Sequence, residues 1–282
     1  MAKFSLIEKR FYFYLISFLL MIFGIVNFFI FKPPFGIDLV GGEFLEVKTS
    51  LSPEEILKDV NFEVSFIKSE DSIIFKSRND LNQVWQKILE LDKNAIRLSY
   101  EKISPSLSKE LRNKSFLFSI LVILAITFYI VFAFRQLKRH FNIFVISFVV
   151  ILTLFHDILG TIAFYSLFSK IYNYEIDIKF ITALLIILGY SVHDTIVVFD
   201  RLRENISKTG KITKEIFDLS IKETMRRSIF TSLTAILSIL PLAFMIKILS
   251  PFLFSLIFGI IVGTYSSIFF AAPMLYEFLK KK

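Results

Sequence analysis

Six runs of nearly unbroken apolar residues leave this chain little choice of fold. They lie at about 11–31, 115–134, 142–168, 180–200, 227–248 and 252–277. Each reaches the roughly 20 residues that a helix needs to cross the hydrocarbon core of a bilayer. In lipid the backbone must satisfy its own N–H and C=O groups, so such runs are helical. At 55% hydrophobic over 282 residues, the chain is more apolar than a soluble domain of its length. The first run is too long for the core of a signal peptide. Lys32-Pro33-Pro34 follows it in place of a small-residue cleavage site, so it reads as an uncleaved anchor.

Composition excludes several classes of chemistry. There is no cysteine, hence no disulfide and no thiolate metal site. Three histidines, His140, His156 and His193, do not suggest a metal cage, and no cofactor, phosphate loop or nucleophile–base arrangement is visible. The chain is therefore not expected to be an enzyme. Its net charge is +8, but the basic residues flank apolar spans, which indicates membrane topology and not nucleic-acid binding.

Lys3, Lys9 and Arg10 precede the first span, and Arg135, Lys138 and Arg139 lie between the second and third. Arg201, Arg203, Lys208, Lys211, Lys214, Lys222 and Arg226 lie between the fourth and fifth, and Lys280, Lys281 and Lys282 end the chain. The alternate loops carry only Lys170, Lys179 and Lys247. Both termini are thus expected in the cytoplasm, as an even span count also requires. Three segments follow: 1–35 with the first span, 36–111 outside, and 112–282 with the other five.

Residues 36–111 hold 14 acidic and 10 basic residues and are long enough for a small domain. Phe44–Lys48 alternates like a strand. Ser52-Pro53-Glu54-Glu55 opens a helix with a capping box. Phe62–Lys68 and Ile73–Lys76 read as strands around a Glu70-Asp71 turn. A second helix runs from Asp80 through Leu91, and Ala95–Ile103 is a final strand. The order βαββαβ predicts a ferredoxin-like α+β sandwich. The fold class is a polytopic α-helical membrane protein with six transmembrane helices and this domain between helices 1 and 2.

Asp194 lies within the fourth run, in Gly189-Tyr190-Ser191-Val192-His193-Asp194-Thr195. A carboxylate there costs a few kcal/mol on insertion scales, so a proton relay or a static ion pair between helices is expected. Tyr190 and Asp194 share a face at i, i+4. Arg227, opening Arg227-Ser228-Ile229-Phe230-Thr231-Ser232-Leu233-Thr234, is a candidate partner at compatible depth; it also reads as a marker of the inner boundary. Thr231, Ser232 and Thr234 add hydroxyls. His156-Asp157 is a second polar pair, read either as a stage in a proton path or as a helix contact. Adjacent helix positions diverge, so each is expected to serve a different neighbour.

Three further features are weaker. Gly36-Ile37-Asp38-Leu39-Val40-Gly41-Gly42 permits a tight reversal after the first span. Gly259, Gly263 and Ser267 recur every four residues as a packing stripe, and Pro241 is expected to kink the fifth span. Thr213–Arg226 has apolar residues at Ile216, Phe217, Leu219, Ile221 and Met225. It reads as an interfacial amphipathic helix near 213–226 or as a cytoplasmic helix packed on its neighbours.

The stretch Gly189–Asn205 strongly resembles the fourth-span signature of the SecF family, the smaller subunit of the bacterial SecDF export factor in the resistance-nodulation-division superfamily. Arg227–Thr234 resembles that family's fifth-span motif and Gly36–Gly42 its motif after span 1; His156-Asp157 is familiar from its third span. There are two departures: His193 stands where the family usually has Asn, and Leu39 where it usually has an aromatic. The resemblance implies a pseudo-symmetric unit with SecD, work alongside the SecYEG channel and in the neighbourhood of YajC and YidC, and an unfolded preprotein as substrate. Its home would be the bacterial inner membrane and its energy source protons. It also implies that Asp194 binds the proton, with Arg227 as its charged partner and His193, Asp157, Thr231 and Ser232 around them. Ending at Lys282 on the cytoplasmic side, the chain is expected not to run on into a SecD-like partner. A stand-alone proton-driven exporter of small molecules or lipids and a purely structural scaffold are the other readings of the same residues.

Overall fold

The computed structural model describes residues 5–58, 60–69, 71–133 and 143–280. Lys3, Glu70, Arg135, Lys138, Arg139, His140, Lys281 and Lys282, and the outermost residues 134 and 142 of the second and third expected spans, lie outside them. In chain order, α1 (Arg10–Phe31) leads through the one-turn α2 (Ile37–Val40) into β1 (Gly42–Lys48), α3 (Pro53–Leu57), β2 (Ser65–Lys68), β3 (Ile73–Ser77), α4 (Asn82–Leu91) and β4 (Ile96–Ile103). Then come α5 (Pro105–Ala133), α6 (Ile143–Tyr172), α7 (Ile178–Thr209) and α8 (Lys214–Met245). The last span, Lys247–Leu279, is composite: a 3-10 turn, α9 (Ser250–Ser266), a π turn at Ser267–Ala271 and α10 (Ala272–Leu279). Among the described residues, six helices are long and apolar enough to cross a membrane, and the protein is a multi-pass membrane protein.

The π turn has a local cause. Pro273 has no N–H to donate one turn back, and its ring crowds the preceding carbonyls; a widened turn directly before it takes up the misfit. Pro241, by contrast, sits inside α8 without ending it.

Helices α6, α7 and α9 form the buried centre, with α1 packed on α6, and α8 on both α7 and α9. Close approach rests on small residues, as lipid-embedded packing requires. A Cβ at Gly259 would lie 2.1 Å from Ile187, and one at Gly263 would lie 3.1 Å from Ser191. The glycine stripe therefore sets the distance between α9 and α7.

The expected helix at 213–226 is not a separate element. It is the first part of the 32-residue α8, which runs unbroken into the fifth span. Phe217 and Ile221 are wholly buried in the bundle core with Leu202, Ile206 and Tyr276. Asp218 accepts hydrogen bonds from the backbone N–H groups of Leu6 and Ile7 at 2.9 and 3.0 Å. Ile216 and Met225 pack against the same core, while Leu219 is exposed, so protein covers most of the stripe. Helix α5 likewise begins at Pro105, immediately after β4, well before the expected span at 115.

The α+β domain has strand order β2-β3-β1-β4, all antiparallel. That is the split-βαβ arrangement, with β1 and β3 central; element order alone did not give this pairing. Leu45, Val47, Ile73 and Phe75 of the sheet and Ile56, Val84 and Ile88 of the helices make its core. The capping box forms: Glu55 N–H donates to Ser52 Oγ at 3.3 Å and Ser52 N–H donates to Glu55 Oε2 at 3.1 Å. β2 is shorter than expected, because Phe62 and Val64 pack against this core instead of pairing. Gly42 adopts φ +152°, and a Cβ there would lie 2.5 Å from the Ser77 carbonyl oxygen, so only glycine fits where the chain turns from α2 into the sheet.

Candidate functional site

The buried face of α7 carries Ile187, Ser191, Asp194, Thr195 and Val198. Asp194 is 3% exposed. Opposite it, across the gap that Gly259 and Gly263 keep narrow, Thr264 of α9 points its hydroxyl at Oδ2 from 3.5 Å. That is the limit of a hydrogen bond, and Thr264 has nearer acceptors. Its Oγ1 lies 2.8 Å from the Ile260 carbonyl and 2.5 Å from Ser232 Oγ. Ser232 in turn bonds the Ser228 carbonyl at 2.8 Å and accepts from the Tyr190 hydroxyl at 3.0 Å. One hydroxyl carries one proton, so Thr264 and Ser232 hold more acceptors than protons. Rotating these hydroxyls redistributes the bonds without moving a helix. Ser228 also faces the carboxylate closely, although its hydroxyl closes no hydrogen bond of normal geometry.

Arg227 does not pair with Asp194. Its side chain is exposed and acts on the carboxylate only through space, as does that of His193 on the exposed face of α7. The reason is helical phase. Ser228 and Ser232, four apart, are turned toward α7 and α9, while Arg227 and Thr231, one residue earlier on each turn, are rotated about 100° away. Thr231 is exposed and bonds the Arg227 carbonyl at 2.7 Å.

His156 and Asp157 are both fully buried in α6. Contrary to expectation they meet: His156 Nδ1 lies 2.9 Å from Asp157 Oδ1. Their Cβ atoms diverge, but the imidazole is long enough to swing back, with its face laid against Phe270 at 5.1 Å and Tyr265 at 6.1 Å. The other oxygen of Asp157 accepts a short hydrogen bond from Ser191 of α7, one turn from Asp194. Two carboxylates from different helices thus bear on one face of α7. Among the described residues, no three His, Asp or Glu side chains converge on a metal-sized point.

The motif after α1 serves the far end of the same helix. Gly36 N–H donates to the Ile176 carbonyl at 2.9 Å, and Ile176 N–H donates to Pro34 at 2.7 Å. Asp177 then caps α7, accepting from Phe180 N–H at 2.8 Å. Burial, with Asp38 nearby, holds the Asp177 carboxyl above the usual aspartate range.

A family model described as "Protein export membrane protein SecD/SecF, C-terminal" matches residues 83–281. The protein translocase subunit SecF of Thermobaculum terrenum is 31% identical over 98% of this chain and 94% of its own length. That of Anaerolinea thermophila is 32% identical, over 96% and 92%. The chain belongs to the SecF family. A crystal structure of SecDF from Thermus thermophilus, titled a translocon-associated membrane protein, superposes on 99% of this chain with a TM-score of 0.83 at 27% identity. A second SecDF crystal structure, in a form called super-membrane-facing, gives 0.73 at 26%. This chain spans 39% of the length of either SecDF chain.

Against that SecF background, the two departures fall in different settings. Leu39 is buried beside Tyr165, Ile176 and Phe180, in a cluster already rich in aromatic rings. His193 lies outside the hydroxyl network altogether. Sequence reasoning missed Thr264 and Ser228. Thr264 was legible as a hydroxyl beside the glycine stripe, where α9 approaches its neighbour most closely. Ser228 stood inside the quoted fifth-span motif but drew less notice than Arg227.

Proposed function

We propose that this chain is the SecF subunit of a bacterial export complex, paired with a SecD chain and working at the SecYEG channel. In this reading it lies in the inner membrane with both termini cytoplasmic and residues 36–111 outside, and it is not an enzyme. Protons entering and leaving at Asp194 drive motion that helps draw a preprotein outward. The hydroxyls of Thr264, Ser232 and Tyr190 carry protons to and from the carboxylate, and Arg227 biases its charge without pairing to it.

One observation carries the reading: Asp194 is buried in a span, yet it pairs with neither Arg227 nor His193 and meets only hydroxyls, that of Thr264 at 3.5 Å and that of Ser228 without a bond of normal geometry. Carboxylates kept for structure at such depth are normally paired. One left this poorly satisfied is free to change protonation state, which is what coupling to a gradient requires.

The test is the export rate of a secreted precursor in SecF-depleted cells, with wild type and Asp194→Asn at matched membrane abundance alongside the cognate SecD. Restoration by wild type alone supports the reading. Restoration by both removes Asp194 from the mechanism. Failure of both, with proton-driven small-molecule flux in proteoliposomes lacking Sec partners, would replace it with a stand-alone exporter.

A further inference from the structure

Helix α7 carries Asp194 in its interior, and its other end starts in a loop gripped by the α+β domain. That loop, residues 173–177, is fixed from three directions. The segment after α1 holds it by the two backbone bonds between Pro34, Gly36 and Ile176. Helix α6 holds it by the Tyr165 hydroxyl, donating to the Glu175 carbonyl at 2.5 Å, and by the Ser169 hydroxyl, donating to that of Tyr174 at 2.6 Å. The α+β domain holds it through the Glu175 side chain. Ser65 Oγ of β2 donates to Oε1 at 2.7 Å, and Lys76 Nζ of β3 donates to Oε2 at 2.9 Å. The Lys76 and Glu175 side chains are only 18% and 12% exposed.

No slack separates this grip from the helix. Glu175 is two residues from Asp177, which caps α7. A Cβ at Gly36 would lie 3.0 Å from that of Asp177, so the bare glycine is what lets the segment after α1 lie against the capping residue. From Ile178 to Asp194 the helix is continuous, about 24 Å at the usual rise. An ion pair largely withdrawn from water, with a third hydrogen bond on the same carboxylate, is costly to break by removing one partner. It is suited to holding two bodies in register. The domain has two covalent tethers to the bundle, through α2 and α5; Glu175 supplies a third attachment, and it is the one made to the helix that carries the buried carboxylate.

We infer that Glu175, held by Lys76 and Ser65, is the coupling clamp of this protein: α7 and the α+β domain move as one body through it, so that a displacement of α7 on charging or discharging Asp194 is delivered to the sheet. The inference rests on the proton-driven reading above. Glu175 touches neither proton nor substrate and is a positioning residue.

The absence of cysteine gives a clean experiment. Nitroxide labels at Lys93→Cys, on the domain, and Met245→Cys, at the exposed end of α8, which does not hold the loop, report their separation in proteoliposomes containing the cognate SecD, with and without an imposed proton gradient. Wild type is expected to show a gradient-dependent change in distance. Glu175→Gln should abolish it in protein that is less stable but still folded at the temperature of the measurement, and the exchanged pair Lys76→Glu/Glu175→Lys should restore it; a merely structural role would lower stability and leave the gradient-dependent change in place. Asp194→Asn, with its clamp intact, should abolish it as well. A change that persists in Glu175→Gln but vanishes in Asp194→Asn overturns the clamp alone. A change that persists in Asp194→Asn, or no change in wild type, overturns the proton-driven reading and the clamp with it.

Discussion

Asp157 of α6 and Asp194 of α7 are both buried aspartates at the inner face of α7, but their surroundings are opposite. Asp157 has both oxygens engaged, one by His156 and one by Ser191. Asp194 is approached by two hydroxyls: that of Thr264 stands at the limit of bonding distance and has closer partners, and that of Ser228 closes no hydrogen bond of normal geometry. A saturated carboxylate ties α6 to α7 and resists change, because any new state leaves donors unpaired. An undersupplied one has little to lose on protonation. On the function proposed above, the same residue type at similar burial is a rivet in one place and a switch in the other.

The sharpest way to break this contrast is to remove the charge from each. Asp194→Asn should lower export by roughly tenfold or more while barely shifting the unfolding temperature, since an intramembrane carboxylate that is not a structural partner owes its presence to function. Next in size, Gly259→Leu drives a side chain into Ile187. It should cost about 1–3 kcal/mol by overpacking and push Thr264 away from Asp194, leaving Ser191–Asp157 intact. Thermal unfolding and export, measured together, read both consequences. Asp157→Ala should have the reverse profile of Asp194→Asn: a loss of about 2 kcal/mol, the range for stranding partners of a buried polar contact. A fall in export beyond that explained by lost protein would make Asp157 a relay member after all. Thr264→Val is gentler. Losing one hydroxyl should slow export about fivefold, equivalent to about 1 kcal/mol, with packing preserved. An unchanged rate would mean that protons reach Asp194 by another route.

Which parts of this were legible in the sequence follows from how far each signal reaches. Six spans and the βαββαβ order are written in local periodicity and length, and both appear in the structure. Asp194 was conspicuous because a lone carboxylate in an apolar run needs no neighbour to be noticed. Its surroundings were not legible, since they depend on helical phase between spans. One residue of rotation separates Ser228 and Ser232, which face the site, from Arg227 and Thr231, which do not. Thr264 belongs to a different helix and is brought near only by the glycine stripe. The contact between His156 and Asp157 escaped a rule about Cβ directions because a long side chain can override it. The unbroken α8 escaped because an amphipathic stripe looks the same whether lipid or protein covers it.

A third carboxylate separates saturation from burial. Asp92, at the end of α4, accepts from Thr49 Oγ1 at 2.7 Å, from Asn94 N–H at 3.0 Å and from Ser50 N–H at 3.3 Å, but it lies in contact with water. These donors, Thr49 foremost, hold its carboxyl below the usual aspartate range. Because the folded value is the lower one, the stabilisation is complete above the unfolded value of about 4 and is lost as pH falls through the folded value. Hydrogen exchange at the Ser50 and Asn94 amides of the full chain should therefore quicken, relative to its intrinsic rate, as the solution is acidified through that window. Asp92→Asn should flatten the dependence. The effect should be the smallest of the five, because water can replace each donor. If it rivalled that of Asp157→Ala, the number of donors and not burial would set the strength of these carboxylate contacts, and the contrast between Asp157 and Asp194 would rest on saturation alone.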